Sequence, residues 1–184
     1  MTSALVVYES LFGNTRKIAD AIADGLRQEC DVVVRPAGTA TAEDAYAADL
    51  VVVGGPTHAF GLASRRTREA GVKDAAPESL AEATGVESGV REWLEQLPQS
   101  DGTKRAAAFD TRFNKPRIIT GGASRGIYHR LRRLGYRLSA PPESFLVSGM
   151  TGPLVDSEAQ RARDWGAGLA ASKLWLTGPG AHRR

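Results

Sequence analysis

Three short stretches of this chain concentrate residue types able to hold a polar ligand. The first, "SLFGNT" (10–15), sets the hydroxyls of Ser10 and Thr15 around Gly13 and Asn14. The second, "GGPTHAFG" (54–61), and the third, "FDTRF" (109–113), each follow an apolar run in the same way. The first stretch lies between "ALVVY" (4–8) and a segment where Ile18, Ala19, Ile22, Ala23 and Leu26 recur at helical spacing. A strand, a small loop and a helix start form the geometry that receives phosphate: amide N–H groups converge on the anion and the helix dipole favours its charge. The same residues also suit an ordinary N-cap at Asn14 or Ser10, so the loop by itself leaves both readings open. A nucleotide-hydrolysing P-loop is excluded, because the four-residue spacer and the Gly-Lys-Ser/Thr ending are missing. The three spaced glycines of a dinucleotide fingerprint are missing too.

The elements that must position these loops alternate between buried strands and amphipathic helices. Strands are expected at 4–8, 31–35, 49–55, 104–110 and 143–149. Helices are expected after the first loop, at "GVREWLEQLP" with Val90, Trp93, Leu94 and Leu97 on one side, from Ser124, and from an N-cap at Asp156 to about Leu176. This pattern predicts an α/β fold: a three-layer, doubly wound, five-stranded parallel sheet in the order 2-1-3-4-5. Ligands of such sheets sit at the carboxyl ends of the strands, beside the point where the order reverses. The loops at 9–15, 55–62 and 110–124 fall there. One domain is expected over residues 1–176, with 62–86 as a long loop or lid and 177–184 as a flexible basic tail.

Composition narrows the classes. The chain has 184 residues, 42% hydrophobic and 24% charged, within the range of a soluble globular domain. No run is long and apolar enough to span a membrane, and no export signal is visible at the start, so a cytoplasmic location is expected. Cys30 is the single cysteine and there are three histidines, which excludes an intrachain disulfide and argues against a metal site. Net charge is +3, and the richest basic stretch, "RGIYHRLRRLGYR" (125–137), reads as the solvated face of a helix buried through Ile127, Leu131 and Leu134. No nucleic-acid partner is expected.

"SLFGNT" resembles the phosphate loop of flavodoxin-like proteins, Ser/Thr-x-Thr-Gly-x-Thr, with Phe12 replacing a hydroxyl residue. "GGPTHAFG" is similar to the Gly-x-Pro-Thr-x-x-x-Gly segment that follows the third strand in that superfamily. The resemblance covers residues 4–176 and implies bound FMN. Its phosphate would lie on residues Ser10, Leu11, Phe12, Gly13, Asn14 and Thr15. Its ring would lie against Pro56, Thr57, His58, Ala59, Phe60 and Gly61, with Phe60 stacking and Gly61 permitting a peptide rearrangement near flavin N5. The third loop would add Phe109, Asp110, Thr111 and Arg112, although Phe109 equally suits the last core position of its strand and Asp110 suits a cap or a pairing with Arg112. Here the chain departs from the glycine-rich, acidic loop of electron-carrying flavodoxins, since Arg112 stands where acid is expected.

The resemblance therefore implies an FMN-binding redox protein that performs electron transfer or two-electron reduction. Its partner would be a redox protein or a small-molecule acceptor such as a quinone, with NAD(P)H as a candidate donor. Arg112 and His58 would stabilise negative charge at the flavin N1/O2 edge, and His58 is the candidate proton donor. The 62–86 segment suits a solvated surface excursion, or a lid that offers Arg65, Arg66 or Arg68 to an anionic substrate or nicotinamide phosphate. The alternative is a flavodoxin-fold scaffold without FMN. A receiver-like signalling module is excluded by Gly54-Gly55, which end the third strand where a phosphorylatable Asp is required.

Overall fold

The structure, a computed structural model, describes residues 1–58, 61–73, 88–149 and 151–172. Strand β1 (Thr2–Tyr8) lies between β2 (Cys30–Pro36) and β3 (Leu50–His58), and β3 pairs with β5 (Arg105–Phe113), all in parallel. The outer side of β5 carries two short strands in succession. β6 (Arg137–Leu138) pairs with its start and β7 (Glu143–Val147) with its end, both parallel. The expected fifth strand is thus one lane in two pieces, interrupted where Pro141 and Pro142 lack the N–H a ladder needs. A two-residue strand, β4 (Gly61–Leu62), folds back antiparallel on the end of β3.

The central strands are buried on both faces, and alternation assigns each side chain to one helical layer. Val6 and Tyr8 of β1, Leu50 and Val52 of β3, and Ala107 and Phe109 of β5 face α1 (Asn14–Leu26) and α7 (Glu158–Ala171). Leu5, Val7, Val51, Val53, Ala106 and Ala108 face the other layer. There, α4 (Val90–Gln96) contributes Val90, Trp93 and Leu94, and α6 (Ala123–Arg133) contributes Ile127 and Leu131. This is the three-layer doubly wound architecture expected from the sequence, with the strand order that places a switch point between β1 and β3.

Helices α1 and α7 meet backbone to backbone. A methyl group at Gly25 would lie 2.0 Å from the Arg163 carbonyl oxygen, and one at Gly166 would lie 2.2 Å from that of Ile22. Gly25→Ala is expected to force the helices apart and cost about 3 kcal/mol, read as a lower midpoint in urea denaturation.

Short helices escaped the periodicity reading. α2 (Ala42–Ala47) is closed by a capping box in which Thr41 and Asp44 exchange hydrogen bonds of 3.1 and 3.0 Å. α3 (Arg65–Lys73) occupies the start of the segment expected as a long loop, and α5 (Arg117–Thr120) precedes α6. α7 begins from Ser157, in a left-handed conformation with φ 69°, instead of from Asp156, and it ends at Ala171, short of Leu176. Residues 74–87 and the tail 177–184 lie outside the described residues.

Candidate functional site

The ends of β1, β3 and β5 open into a cleft of about 340 Å³. Leu11, Phe12, Asn14 and Thr15 line it from the first loop, Pro56 and Thr57 from the second, and Thr111 and Arg112 from the third. The fold therefore brings together residues from three stretches up to a hundred positions apart. Thr15 Oγ1 and Thr111 Oγ1 are 2.8 Å apart and buried, which ties the first loop to the end of β5. Thr111→Val is expected to leave the fold intact, to cost about 1 kcal/mol of stability, and to loosen the first loop, seen as faster amide exchange at Lys17, whose N–H bonds the Gly13 carbonyl.

Helices α1 and α6 both start at this end of the sheet, and their first turns differ. In α6, the Ala123 N–H donates to Thr57 Oγ1 at 3.0 Å and the Ser124 N–H to Asp110 Oδ2 at 2.7 Å. Strand-end side chains thus close α6. In α1 the N-cap is Gly13, left-handed with φ 78°; no described side chain caps the helix, and its first turn holds no acid. The intrahelical ladder begins with the Lys17 N–H on the Gly13 carbonyl at 3.0 Å, so the amides of residues 14–16 project from the helix end. Ser10, Asn14 and Thr15 are buried around that end. An anion is the group that this first turn is suited to receive.

At two residues of the third loop the structure takes the alternative that points away from a ligand. Phe109 is fully buried with its ring flat against Gly54 and edge-on to Phe145 and Trp165, at centroid distances of 6.2 and 6.4 Å. It is a core residue because the strand pleat turns it to the α1–α7 side. Asp110 is fully buried and serves α6, so it does not face the cleft. Arg112 does line the cleft. One of its terminal nitrogens, Nη1, donates to the carbonyls of Lys115 at 2.6 Å and Phe113 at 3.3 Å, which clamps its own turn. Its Nε is buried and meets no acceptor among the described residues.

In the second loop, the backbone of His58 pairs with Gly61 in the β3–β4 hairpin. The His58 side chain, Ala59 and Phe60 lie outside what is described. Within the described part of 62–86, Arg65 and Arg66 are exposed, whereas Arg68 is fully buried. Arg68 is turned into the protein and not offered to a ligand.

Six residues of the cleft were missed from sequence. Thr67, Ala70 and Gly71 come from α3, Phe113 from the end of β5, and Val147 and Gly149 from the end of β7. The α3 residues fall at i, i+3 and i+4, one face of a helix. Its start is marked by Ser64 and Thr67, whose side chains each accept the other's backbone N–H at 3.3 and 2.8 Å. That Ser-x-x-Thr pattern was the legible signal. The contributions of 147–149 depend on a turn that folds back against α1, where a methyl at Gly152 would touch Asn14 at 2.6 Å. No local pattern carries that contact.

The comparisons with known proteins agree with this architecture. The family described as Flavodoxin domain matches residues 5–67, which hold β1, the first loop, β2, β3 and the start of α3. A flavodoxin from Aquifex aeolicus is 39% identical over 66 residues, a segment that spans 35% of this chain and 35% of that protein. Oxidised flavodoxin 2 from Bacillus cereus superposes with a TM-score of 0.65 at 19% identity, over 92% of this chain and 98% of that one. A Streptococcus pneumonia TIGR4 flavodoxin superposes at 0.64 and 20% identity, over 92% and 99%. The fold of this chain is flavodoxin-like. The likeness to the solved structures concerns the fold, and the family match is confined to residues 5–67, where α1 lies.

One titratable group beneath the cleft is displaced. Glu9, the residue between β1 and the first loop, is fully buried, and its carboxyl is pushed up to about 7 by burial against the opposing pull of the Val90 N–H and Arg68.

Proposed function

We propose that this flavodoxin-like chain binds FMN in the cleft and works as a redox protein. The observation that carries the reading is the contrast between the two helix starts. α6 is closed by Asp110 and Thr57, while α1 presents a glycine in the left-handed region and unused first-turn amides. The donor set fits a phosphate group: backbone N–H of residues 14–16 with the hydroxyls of Ser10 and Thr15 beside them. The apolar lining of Leu11, Phe12, Pro56, Phe113 and Val147 fits the flat ring, and Thr57 and Thr111 supply hydroxyls to its polar edge. His58, Ala59, Phe60 and Gly61 belong to the same proposal through the second loop.

Bound FMN would supply reversible electron transfer or two-electron reduction. The chain's own part is to bind, orient and bias. Arg112 places a permanent cation on the cleft, which favours a negatively charged ligand and raises the potential of a group that gains charge on reduction. The partners that suit such a site are a redox protein or a small acceptor such as a quinone, with NAD(P)H as a candidate donor.

The test is a fluorescence titration of FMN into the purified chain, with riboflavin as the control lacking phosphate. FMN is expected to quench on binding and to bind at least a hundredfold tighter than riboflavin. Gly13→Val, which puts a β-branched residue at φ 78°, is expected to abolish that preference. A colourless protein that ignores FMN overturns the reading in favour of an FMN-free scaffold.

A further inference from the structure

Helix α3 forms one wall of the cleft through Thr67, Ala70 and Gly71, yet residues 65–71 contain no large apolar side chain. Arg65, Arg66, Glu69 and Ala70 are exposed, and none of residues 65–71 joins either hydrophobic core cluster. What this helix buries instead is Arg68, with no exposed surface at all. A fully buried arginine persists only when it is paired. Arg68 Nη2 meets Glu92 Oε1 of α4 at 3.0 Å, and Nη1 lies 3.7 Å from Glu9 Oε2 at the end of β1.

The same Glu9 oxygen accepts the Val90 N–H at 3.0 Å, and Glu92 Oε2 accepts the Gly89 N–H at 2.9 Å. Gly89 seals the cluster: a methyl there would lie 2.1 Å from Glu9 Oε2 and 2.6 Å from Arg68 Nη1. Among the described residues, the charged groups acting on Glu9 are Arg68 from α3, with Glu92 and Arg91 from α4, and from β3 Gly55 lies against its side chain. Over residues 65–71 an ionic cluster therefore takes the place that apolar packing holds in the other long helices.

We propose that Glu9 and Arg68 are positioning residues: their buried cluster with Glu92 seats α3 as a wall of the cleft, and the charge on Glu9 sets how firmly that wall is closed. The direction follows from solvation. With α3 and the 88–90 turn in place, Glu9 has no water and favours its neutral form. When α3 lifts, water reaches the carboxyl and the ionised form becomes the favoured one. Opening therefore releases a proton, and raising the pH shifts the balance towards the open wall. Raised to about 7 when covered, Glu9 places this response between pH 5 and about 7.5, with a level plateau above it.

Hydrogen exchange on the ligand-free protein tests the inference without any assumption about FMN. After correction for intrinsic exchange, protection of the α3 amides is expected to fall roughly 50-fold from pH 5 to 7.5. They should exchange well ahead of the α1 core, and the pH response should vanish in Glu9→Gln, whose amide oxygen still accepts from Val90. An unchanged response in Glu9→Gln, or α3 exchanging only together with α1, overturns the proposal. A second arm rests on the FMN reading. Arg68→Met is expected to weaken FMN binding about tenfold, and Arg68→Lys to restore most of it. Equal binding by Arg68→Met and the parent chain overturns the proposal, whereas absence of FMN binding by the parent chain refutes only the function and leaves the exchange result to decide.

Discussion

Gly54→Ala is expected to lose about 3 kcal/mol or more of folding stability, one of the two largest effects we foresee. A Cβ at this position would lie 2.2–2.3 Å from three atoms of the Phe109 ring. That ring has nowhere to retreat, because Phe145 and Trp165 hold it edge-on from the other side. Both residues sit in adjacent central strands, in register at Gly54↔Phe109, so backbone movement would have to break the parallel ladder between β3 and β5. A urea midpoint lowered by roughly 1–2 M is the expected readout. Combining the substitution with Phe109→Leu should recover part of the loss, since the clash is with the ring itself. Two independent, additive losses would show that the close approach of Gly54 and Phe109 is not the cause.

The second large effect is a pH dependence of folding set by Glu9. Its carboxyl moves from an ordinary 4.5 in the unfolded chain to about 7 in the folded one, chiefly through burial. The folded state thus holds a proton that the unfolded state has already given up. Its contribution to stability is complete below pH 4.5 and is lost progressively as pH rises towards 7. Above that the loss is complete and amounts to about 3 kcal/mol. Glu9→Gln is expected to remove this slope and to be more stable than the parent chain at pH 8, while the two converge at pH 4.5. Denaturant titrations across this range provide the check, and a parent chain with the same slope as Glu9→Gln would refute the assignment. The same shift links this stability slope to the seating of α3, because the cover that dries Glu9 is the wall of the cleft.

These two predictions differ in how far the sequence could have led to them. Gly54 and Phe109 were visible as strand-end residues of β3 and β5, and the order of those strands followed from alternation and crossover handedness. Phe109 nevertheless stayed open between a ligand contact and the last core residue of its strand. A residue at the end of a strand points to one layer or the other according to the pleat, and that parity could not be fixed without knowing where β5 begins. Asp110 stayed open for a related reason. A carboxylate after a strand suits a ligand or a helix start, and only the placement of Ser124 within 2.7 Å decided for the helix.

The amino-acid sequence by itself determined the layered α/β architecture and the five lanes of the sheet, with the loops 9–15, 55–62 and 110–124 expected at the carboxyl ends of its strands. Periodicity, strand-ending glycines and the helix beginning at Asn14 are local properties, written within a few residues of where they act. Tertiary structure alone decided which helix start stays open to an anion, that α3 walls the cleft, and that Arg68 turns inward to Glu9 and Glu92. Those outcomes depend on pairs such as Glu9 with Val90 and Thr15 with Thr111, separated by 81 and 96 positions. Burial and charge balance at such pairs arise only once the chain has closed, so no stretch of sequence carries them beforehand.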